Sequence, residues 1–387
     1  MKTAIVCDWF LTRDGAKLRA GGTEAFVQRL LTLLERLGLD ATIFQRGDER
    51  FQKRFRGAPI LAWRNFRELR ELTDSFLARG GRGAIYSDVH VVPEKSVHPA
   101  ILIQHGVYWD VPYRRFRNPL VQGALNWKKD WDHSRLAARL MKLCKRMDRV
   151  VTVDTNFQNW LRERCSWNVI EDRFALEDRF AYVPNCTSIH DSGGIAQKLA
   201  GGRPIQRVLF ARRFDVFRGT FSWGRVVRRL APRYPDVQFV FCGHGGDNGL
   251  AREHELRDLL AGLPNVATYE RPWELMPDEH FAADIEVVPS LGSEGTSYSL
   301  VEALGAGACA ICTTVGGLAN VVLPTYNGLM VQATERAMEA AAVSLLENPV
   351  WTRELARRGY ETAQTCFSVA AWEARMERVI MEAFAGE

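Results

Sequence analysis

The sequence predicts an α/β protein with two tandem, doubly wound domains, and three observations support this prediction. Short β-branched runs alternate with amphipathic helical windows, which is typical of βαβ units and parallel sheets. The alternation pauses once, in the glycine-rich stretch 188–204. The chain of 387 residues is also too long for one ordinary core, so two domains are expected.

The first alternating series predicts a Rossmann-like domain over residues 1–188. A helix from about Glu24 to Leu37 has apolar residues at helical spacing and is followed by Gly38, which is typical of a helix C-terminus. It lies between the first two of six expected strands, which are Thr3–Cys7, Ala41–Phe44, Ala84–Tyr86, Ala100–Gln104, Val150–Val153 and Phe180–Val183.

Residues 189–204 are expected to form a linker to a second Rossmann-like domain over residues 205–368. Its six expected strands are Arg207–Ala211, Val237–Cys242, Val266–Tyr269, Ile285–Pro289, Ala308–Thr313 and Leu329–Val331. The expected helices include Ser222–Leu230, Leu250–Leu260, Glu335–Leu346, Pro349–Cys366 and Val369–Phe384.

The composition is that of a globular protein, with 47% hydrophobic and 25% charged residues. No uncharged apolar run of about 18 residues occurs, so no membrane-spanning segment is expected. The N-terminal MKTAIVCDWF lacks a signal-peptide apolar region and predicts a first strand. The eight cysteines lie mostly in apolar patterns, which indicates reduced thiols in a cytoplasmic protein. The CxxC of Cys309 and Cys312 has no second ligand pair and favours a buried strand over a zinc or redox site.

The most informative stretch is Val287–Leu304, VVPSLGSEGTSYSLVEAL, in which a strand, a small-residue loop and a helix follow one another. Such a junction presents backbone N–H groups and the helix dipole to an anionic ligand. Glu294 and Glu302 bracket it, and eight helical residues span about 12 Å. A glycosidase pair needs its carboxyls about 5–9.5 Å apart, so the two acids suit the two ends of one long ligand better. Alternatively, Glu294 complements the helix dipole and Glu302 is an exposed helical residue.

Other strand ends supply further candidates. Gly21 and Gly22 precede a helix and permit close approach of a phosphate or sugar, although an ordinary turn explains them equally. His105 follows a strand and is a candidate for polar contact or proton chemistry, although a lone histidine is more often structural. Gly243, in Gly243-His244-Gly245-Gly246, lacks the last glycine of a dinucleotide fingerprint and indicates only a tight loop.

Three arginines, Arg212, Arg213 and Arg218, follow the strand Arg207–Ala211. A guanidinium binds phosphate oxygens in a bidentate manner and stays charged, so this loop suits a diphosphate leaving group. The alternative is a solvated basic loop. Position at a strand end favours the functional interpretation.

Together these motifs resemble the retaining glycosyltransferases of family 4, which have the GT-B fold, over nearly the full length. Glu294 to Glu302 resembles the family's E-x7-E motif, and EALGAGACAI and TTVGG match its continuation. Arg213 and Arg218 resemble the basic pair that binds the donor diphosphate. Gly21-Gly22-Thr23-Glu24 and His105 resemble the glycine loop and histidine of the first domain. The resemblance implies two domains facing a cleft, with a C-terminal helix of about 369–387 packing back on the N-terminal domain.

The resemblance also implies a function, the transfer of a sugar from a UDP- or GDP-sugar to a glycan or lipid-linked acceptor with retention of configuration. Glu302 would hold the ribose hydroxyls, Glu294 the sugar hydroxyls, and His105 would contact the sugar near its anomeric centre. Arg213 and Arg218 would replace magnesium, so neither a metal nor another cofactor is expected. The remaining donor-binding residues would be Gly21, Gly22, Gly243, Gly295, Thr296, Ser297 and Tyr298.

Four residues depart from the family pattern. Arg212 replaces a glycine, Arg218 a lysine, Thr296 an aromatic residue and Asn320 an acidic residue. Two alternatives stay open, the second of them because of Arg212 and Asn320. One is another GT-B activity, such as a nucleotide-sugar epimerase or a phosphorylase, and the other is a catalytically silent protein that binds glycans or partners.

The segment 110–149 has eleven Lys/Arg against four Asp/Glu, with Trp127 and Trp131 among its aromatic residues. A basic helix with aromatic residues suits an anionic membrane surface or a lipid-linked anionic acceptor. Nucleic acid is the electrostatic alternative, and it is not an expected partner. A solvated helical face is the structural alternative.

Overall fold

The computed structural model describes residues 2–19, 21–93, 99–109, 119–164, 178–200, 203–245, 249–292 and 294–384. Contacts between Cα atoms divide the chain into two compact units. Unit 1 comprises Met1–His105, Arg114–Val183 and Glu373–Glu387, and unit 2 comprises Gly106–Tyr113 and Pro184–Trp372.

The described residues form alternating strands and helices in both units. The strands are β1 (Lys2–Val6), β2 (Asp40–Arg46), β3 (Phe51–Phe55), β4 (Ala58–Trp63), β5 (Gly81–Tyr86), β6 (Ala100–Gln104), β7 (Arg149–Thr152), β8 (Phe180–Tyr182), β9 (Arg207–Ala211), β10 (Gln238–Cys242), β11 (Val266–Tyr269), β12 (Ile285–Val288), β13 (Cys309–Thr313) and β14 (Leu329–Val331). The helices are α1 (Gly22–Arg36), α2 (Phe66–Ala78), α3 (Pro119–Cys144), α4 (Asn156–Arg164), α5 (Ser192–Leu199), α6 (Thr220–Leu230), α7 (Gly249–Leu260), α8 (Met276–Ala282), α9 (Tyr298–Gly305), α10 (Glu335–Leu346), α11 (Pro349–Cys366) and α12 (Val369–Phe384).

Unit 1 is built on an eight-stranded sheet in the order β3-β4-β2-β1-β5-β6-β7-β8. Its pairs are parallel except for the edge pair β3–β4. The C-terminal part of α12 packs on this unit, as expected from the sequence. Arg36 bonds Glu373 at 2.6 Å, and Arg82 donates to the carbonyl of Phe384 at 2.7 Å.

Unit 2 is built on a fully parallel six-stranded sheet in the order β11-β10-β9-β12-β13-β14. Its strands are apolar on both faces, as is usual for a parallel sheet covered by helices on both sides. One face packs Phe210, Phe239 and Ile285 into the largest core of the unit, against α6 and α10. The strand order reverses between β9 and β12, which are neighbours in the sheet although two strands separate them in the chain. This reversal is the topological switch point where doubly wound sheets bind ligands.

The predicted α/β fold with two Rossmann-like sheets is confirmed, and all twelve predicted strands are present. The sequence analysis missed the antiparallel hairpin of β3 and β4, whose turn residues Arg56 and Gly57 both have positive φ. The stretch 189–204, expected to be a linker, contains α5, which begins after the N-cap Asp191.

Further expectations concern cysteines and membrane spans. Cys309 and Cys312 lie buried in β13 as free thiols, in agreement with the predicted buried strand. Among the helices of the described residues, none is both long and apolar enough to cross a bilayer.

Candidate active site

The two loops that follow β9 and β12 meet at the switch point of unit 2. The loop after β9 contains Arg212 and Arg218, and the loop after β12 contains Glu294. These loops are joined directly by their backbones, because Leu291 donates to the carbonyl of Phe217 at 2.8 Å. Neighbouring parallel strands therefore bring side chains that are about eighty residues apart to one place.

Glu294 accepts hydrogen bonds from two arginines and one serine. Arg212 Nη2 lies 2.7 Å from its Oε1, Ser290 Oγ lies 2.6 Å from the same oxygen, and Arg218 Nη1 also donates to it. Arg212 additionally donates to Ser290 Oγ at 2.5 Å. The side chains of Arg212 and Glu294 are only 9% and 5% exposed, so this ion pair is largely shielded from water.

The electrostatics of the cluster follow from this geometry. Burial alone would raise the pKa of the Glu294 carboxyl, but the guanidiniums of Arg212 and Arg218 and the Ser290 hydroxyl hold this pKa below its ordinary value. Burial lowers the pKa of Arg212, which Glu294 partly offsets. Glu294 is therefore a carboxylate at neutral pH, and its charge stabilises a buried arginine.

A glycine with positive φ shapes the arginine loop. Gly219 (φ +75°) precedes α6, and a Cβ at this position would lie 1.8 Å from the carbonyl oxygen of Pro289. The loop itself is closed by Asp215, whose carboxylate accepts from the backbone N–H of Phe217 at 2.8 Å and from Arg252 at 2.5 Å. This close approach of the two loops is what places Arg218 beside Glu294.

A second glycine supports Glu294 from the opposite side. Gly316 has φ +55°, and a Cβ there would lie 2.2 Å from the carbonyl oxygen of Glu294. The neighbouring Gly317 donates its N–H to that same oxygen at 3.0 Å. The Val315-Gly316-Gly317 segment thus holds the backbone of Glu294 in place. Asn320, a departure from the family pattern, ends the short 3-10 helix Gly316–Asn320.

The three arginines of the loop after β9 differ in their contacts. Arg213 is exposed, and within the described residues it makes no hydrogen bond or ion pair. Arg212, which replaces the glycine of the family pattern, binds Glu294. This pairing could not be predicted from the sequence, since two adjacent arginines differ only in the direction of their side chains. Phosphate binding by Arg213 and Arg218 stays a prediction.

Gly243 has a structural reason that the sequence analysis did not identify. A Cβ at this position would lie 2.0 Å from the carbonyl oxygen of Arg212. The loops after β9 and β10 are also tied by two bonds, from Arg212 N to Cys242 O at 3.1 Å and from Phe214 N to His244 O at 2.7 Å. Gly243 therefore allows the backbone of the arginine loop to lie close to the loop after β10. A contact between Gly243 and the donor stays a prediction.

The residues predicted to face the sugar lie at the N-terminus of α9. Ser297 is the N-cap, and its Oγ lies 3.2 Å from Ser299 Oγ rather than on a backbone N–H of the first turn. Thr296 is buried, and its carbonyl accepts from Asn185 Nδ2 at 2.7 Å. Tyr298 begins the helix, and Gly295 lies in the loop directly before Thr296. These residues form one continuous turn next to Glu294.

Glu302, the second acid of the motif, is held by residues that the sequence analysis missed. His280 Nε2 lies 3.3 Å from Glu302 Oε2, and His280 Nδ1 lies 2.7 Å from Glu286 Oε2. Glu286 is completely buried in β12. An acidic residue within the apolar run Ile285–Val288 was the available signal, because a charged residue is almost never fully buried unless it is paired.

A family comparison covers the part of the chain that contains this site. Residues 206–348 match the family model described as Glycosyl transferases group 1. This part of the chain is therefore similar to the glycosyl transferases of group 1. The matched residues include Arg212, Arg218, Glu294 and Glu302, so the family resemblance inferred from the sequence is confirmed for residues 206–348.

Individual relatives and solved structures share low sequence identity with this chain. The phosphatidyl-myo-inositol mannosyltransferase of Mycobacterium tuberculosis is 28% identical over 184 residues, which are 46% of this chain and 47% of that protein. The matches span about half or less of the length of the curated relatives. Sucrose-phosphate synthase from Thermosynechococcus elongatus has a TM-score of 0.73 at 18% identity, over 100% of both chains. Anabaena HepE in complex with UDP has a TM-score of 0.69 at 14% identity, over 98% of this chain and 99% of that one. At these identities the two structures show a shared fold.

Three of the predicted site residues lie in unit 1. His105 follows β6, and its ring stands edge-on to Phe26 with centroids 5.1 Å apart. Burial lowers the pKa of His105 to about 4, so its imidazole is neutral at pH 7. Its buried Nε2 has no hydrogen-bond partner among the described residues. Gly21 is the N-cap of α1 and Gly22 its first residue, and both are exposed.

Metal binding was tested on the donor atoms that the structure provides. The described residues contain no group of three or more His, Cys, Asp or Glu side chains arranged to hold a metal ion. A donor that carries its own cation would not need such a group, so metal independence stays a prediction for experiment.

Proposed function

We propose that the protein is a retaining, metal-independent glycosyltransferase that transfers a sugar from a nucleoside diphosphate sugar to a glycan or lipid-linked acceptor. The observation that supports this best is the cluster of Arg212, Arg218 and Glu294 at the switch point of a unit that is similar to the glycosyl transferases of group 1. Such a site combines cations for a diphosphate with an acceptor for sugar hydroxyls.

The charge of the cluster matches a diphosphate. Arg212, Arg213 and Arg218 supply three positive charges, and Glu294 supplies one negative charge, which leaves two positive charges. The bridging diphosphate of a nucleotide sugar has two negative charges. Arg213 is exposed and therefore available to the ligand without breaking an existing bond among the described residues. Preorganised guanidiniums are suited to stabilise the charge that develops on the leaving phosphate.

The contacts of the Glu294 carboxylate involve one of its two oxygens. The three contacts that the structure gives it all end on Oε1. A sugar hydroxyl can therefore donate to Oε2 without displacing an arginine or Ser290. Glu302, the fifth residue of α9, would accept the ribose hydroxyls, with the phosphates between the two acids.

We propose a same-face transfer for this arrangement. The bond between the anomeric carbon and the phosphate oxygen breaks, and its electron pair stays on the diphosphate, which Arg213 and Arg218 neutralise. The acceptor hydroxyl oxygen attacks the anomeric carbon from the same face, and its proton passes to the departing phosphate oxygen. Retention thus needs no protein base. His105 fits this scheme as a neutral group, because burial lowers its pKa to about 4.

The acceptor and its location are suggested by helix α3. Trp127 and Trp131 are 71% and 50% exposed and lie one turn apart, whereas the buried residues Ala137 and Leu140 lie further along the helix. Arg135 stacks on Trp131 at 4.5 Å. Exposed tryptophans beside basic residues suit the interface of an anionic membrane. A relative named for phosphatidyl-myo-inositol is consistent with a lipid-linked acceptor reached at a cytoplasmic membrane face.

A thermal-shift panel tests the donor. The wild-type protein is heated with UDP-, GDP-, ADP- and dTDP-sugars, each with and without EDTA. We expect the melting temperature to rise for one base, with UDP or GDP as the expected choice since HepE was solved with UDP, and the rise to survive EDTA. A rise that EDTA abolishes would contradict the metal-independent mechanism. An enzyme that converts the donor into an isomer without any acceptor would instead be an epimerase.

A further inference from the structure

Glu286 occupies a position in β12 where an apolar residue would be expected. Its neighbours Ile285 and Val287 face the largest core of unit 2, and Glu286 itself is 0% exposed. Removing a carboxylate from water costs several kcal/mol unless a cation and hydrogen bonds compensate. The compensating group is His280 from α8, whose Nδ1 lies 2.7 Å from Glu286 Oε2.

His280 is buried and faces a carboxylate with each ring nitrogen. Its Nε2 lies 3.3 Å from Glu302 Oε2, on the side opposite Glu286. A neutral imidazole has only one N–H, so it would direct a lone pair at one of the two acids. Burial by itself lowers the pKa of His280, but the carboxylates of Glu286 and Glu302 raise this pKa to about 10. The ring is therefore an imidazolium that donates a hydrogen bond to Glu286 and forms an ion pair with Glu302.

Glu302 is the member of this chain of contacts that reaches the surface. Its side chain is 16% exposed, whereas Glu286 and His280 are almost fully buried. The contacts link α8, β12 and α9, and of the three residues Glu302 is the one that can touch a ligand. The imidazolium therefore holds one oxygen of the Glu302 carboxylate from the interior side of unit 2.

We propose that His280 is a positioning residue, anchored as an imidazolium by Glu286, which orients the Glu302 carboxylate to accept the two ribose hydroxyls of the donor. This inference rests on the proposed function, because it assigns a nucleoside to Glu302. Without the imidazolium, Glu302 is free to rotate, and two adjacent hydroxyls are no longer bound by one fixed carboxylate. The loss falls on the ribose contact and spares the diphosphate contact of the arginines.

Binding of UDP and GDP, each compared with its 2′,3′-dideoxy counterpart, tests this assignment. In the wild-type protein we expect the nucleotide of the preferred base to bind at least about tenfold more tightly than its dideoxy form, since each such factor corresponds to about 1.4 kcal/mol. His280→Gln should reduce this ratio to below about threefold, while the dideoxy nucleotide binds as before. Glu286→Gln should do the same, because a neutral amide no longer stabilises the imidazolium.

The matched control is Glu279→Gln. Glu279 is the residue next to His280 on α8, is also buried, and binds Arg207, Tyr269 and Arg271 rather than Glu302. It should keep the full discrimination between ribose and dideoxyribose. If Glu279→Gln lost that discrimination, or if His280→Gln weakened both nucleotides by one common factor, the role of His280 would be structural only.

A measurement on the unmodified protein guards against variants that fail to fold. The ¹⁵N chemical shifts of His280 at pH 8 should show two protonated ring nitrogens, and a neutral ring would overturn the inference. Failure of the folded wild-type protein to bind either UDP or GDP would overturn the proposed function together with this inference. Tight ribonucleotide binding that His280→Gln and Glu286→Gln leave unchanged would overturn the inference alone.

Discussion

Arg212 Nη2 and Glu294 Oε1 lie 2.7 Å apart although 82 residues separate them in the chain. Their strands, β9 and β12, are neighbours at the only reversal of strand order in the described sheet of unit 2. The pair therefore places the acid of the E-x7-E motif and the loop of three arginines in one site. Because Arg212 is a cation and Glu294 an anion, substitution of either residue leaves the other as a buried charge with one partner fewer.

Arg212 and its neighbour Arg213 should respond to alanine substitution in opposite ways. Arg212→Ala leaves a buried carboxylate with one guanidinium fewer, which should lower the free energy of unfolding by about 3 kcal/mol. Arg213→Ala removes an exposed side chain and should change that free energy by less than about 0.5 kcal/mol. It should instead weaken binding of the nucleoside diphosphate. Urea unfolding measures the effect on stability, and calorimetric titration with UDP and GDP measures the effect on binding. If Arg212→Ala weakened nucleotide binding and Arg213→Ala lowered the free energy of unfolding, Arg212 would be the ligand-binding arginine.

Glu294→Gln should make the stability of the protein less sensitive to acid. The pKa of Glu294 is held below its ordinary value in the folded state, so the folded protein binds fewer protons than the unfolded chain as the pH falls below about 4.5. The stabilising contribution is therefore complete above that pH and is lost as the carboxylate becomes protonated. The difference in free energy of unfolding between wild type and Glu294→Gln should shrink from pH 6 to pH 3.5. A difference that grows over this range would contradict the ion pair.

Gly219→Ala should disrupt the arginine loop much more than backbone strain alone requires. A left-handed conformation costs a residue other than glycine about 1 kcal/mol or more, and at Gly219 the added Cβ would also lie 1.8 Å from the carbonyl oxygen of Pro289. Gly262 is the matched control, since its φ is +80° and nothing lies within 4 Å of an added Cβ. Gly262→Ala should show the conformational cost only. Equal destabilisation of the two variants in urea would mean that the close approach at Pro289 does not constrain the loop.

Exchanging Trp127 and Trp131 of helix α3 together for serine should abolish binding to anionic vesicles. Wild type is expected to float with vesicles of phosphatidylglycerol and not with those of phosphatidylcholine. The double variant should bind at least about tenfold more weakly, which is about 1.4 kcal/mol. Trp273, which is also exposed but belongs to unit 2, provides the control. If Trp273→Ser lost vesicle binding as much as the double variant, a general surface effect would explain the result.

The sequence predicts the framework of this protein because local patterns suffice for it. The runs Arg207–Ala211 and Ile285–Val288 are short and apolar, and the small-residue loop with Glu294 follows the second of them, so strand, loop and helix could all be located. The partners of the acids could not be predicted in this way. Whether Arg212 or Arg213 turns towards Glu294 depends on the contact of two loops, which in turn depends on Gly219 and Pro289.

Buried polar groups and long-range packing account for the other differences. The pairing of His280 with Glu286 and Glu302 needs three elements to be in place, and only the acid inside an apolar strand hinted at it. Helix α5 forms within 189–204 because its packing on unit 2 compensates for weak periodicity, as Lys198 donates to the carbonyl of Ala306 at 2.6 Å. Such tertiary contacts override local composition.

The account depends most directly on Glu294 and Arg213 as parts of a donor site, and the release of nucleoside diphosphate from UDP-glucose and GDP-mannose tests it. The folded wild-type protein should cleave one of these donors, and the transferred or released sugar should keep the anomeric configuration of the donor. Glu294→Ala and Arg213→Ala, checked for folding by circular dichroism, should each slow cleavage by about 100-fold or more. Cleavage at the wild-type rate by both variants would contradict the site, and an inverted product would contradict the mechanism.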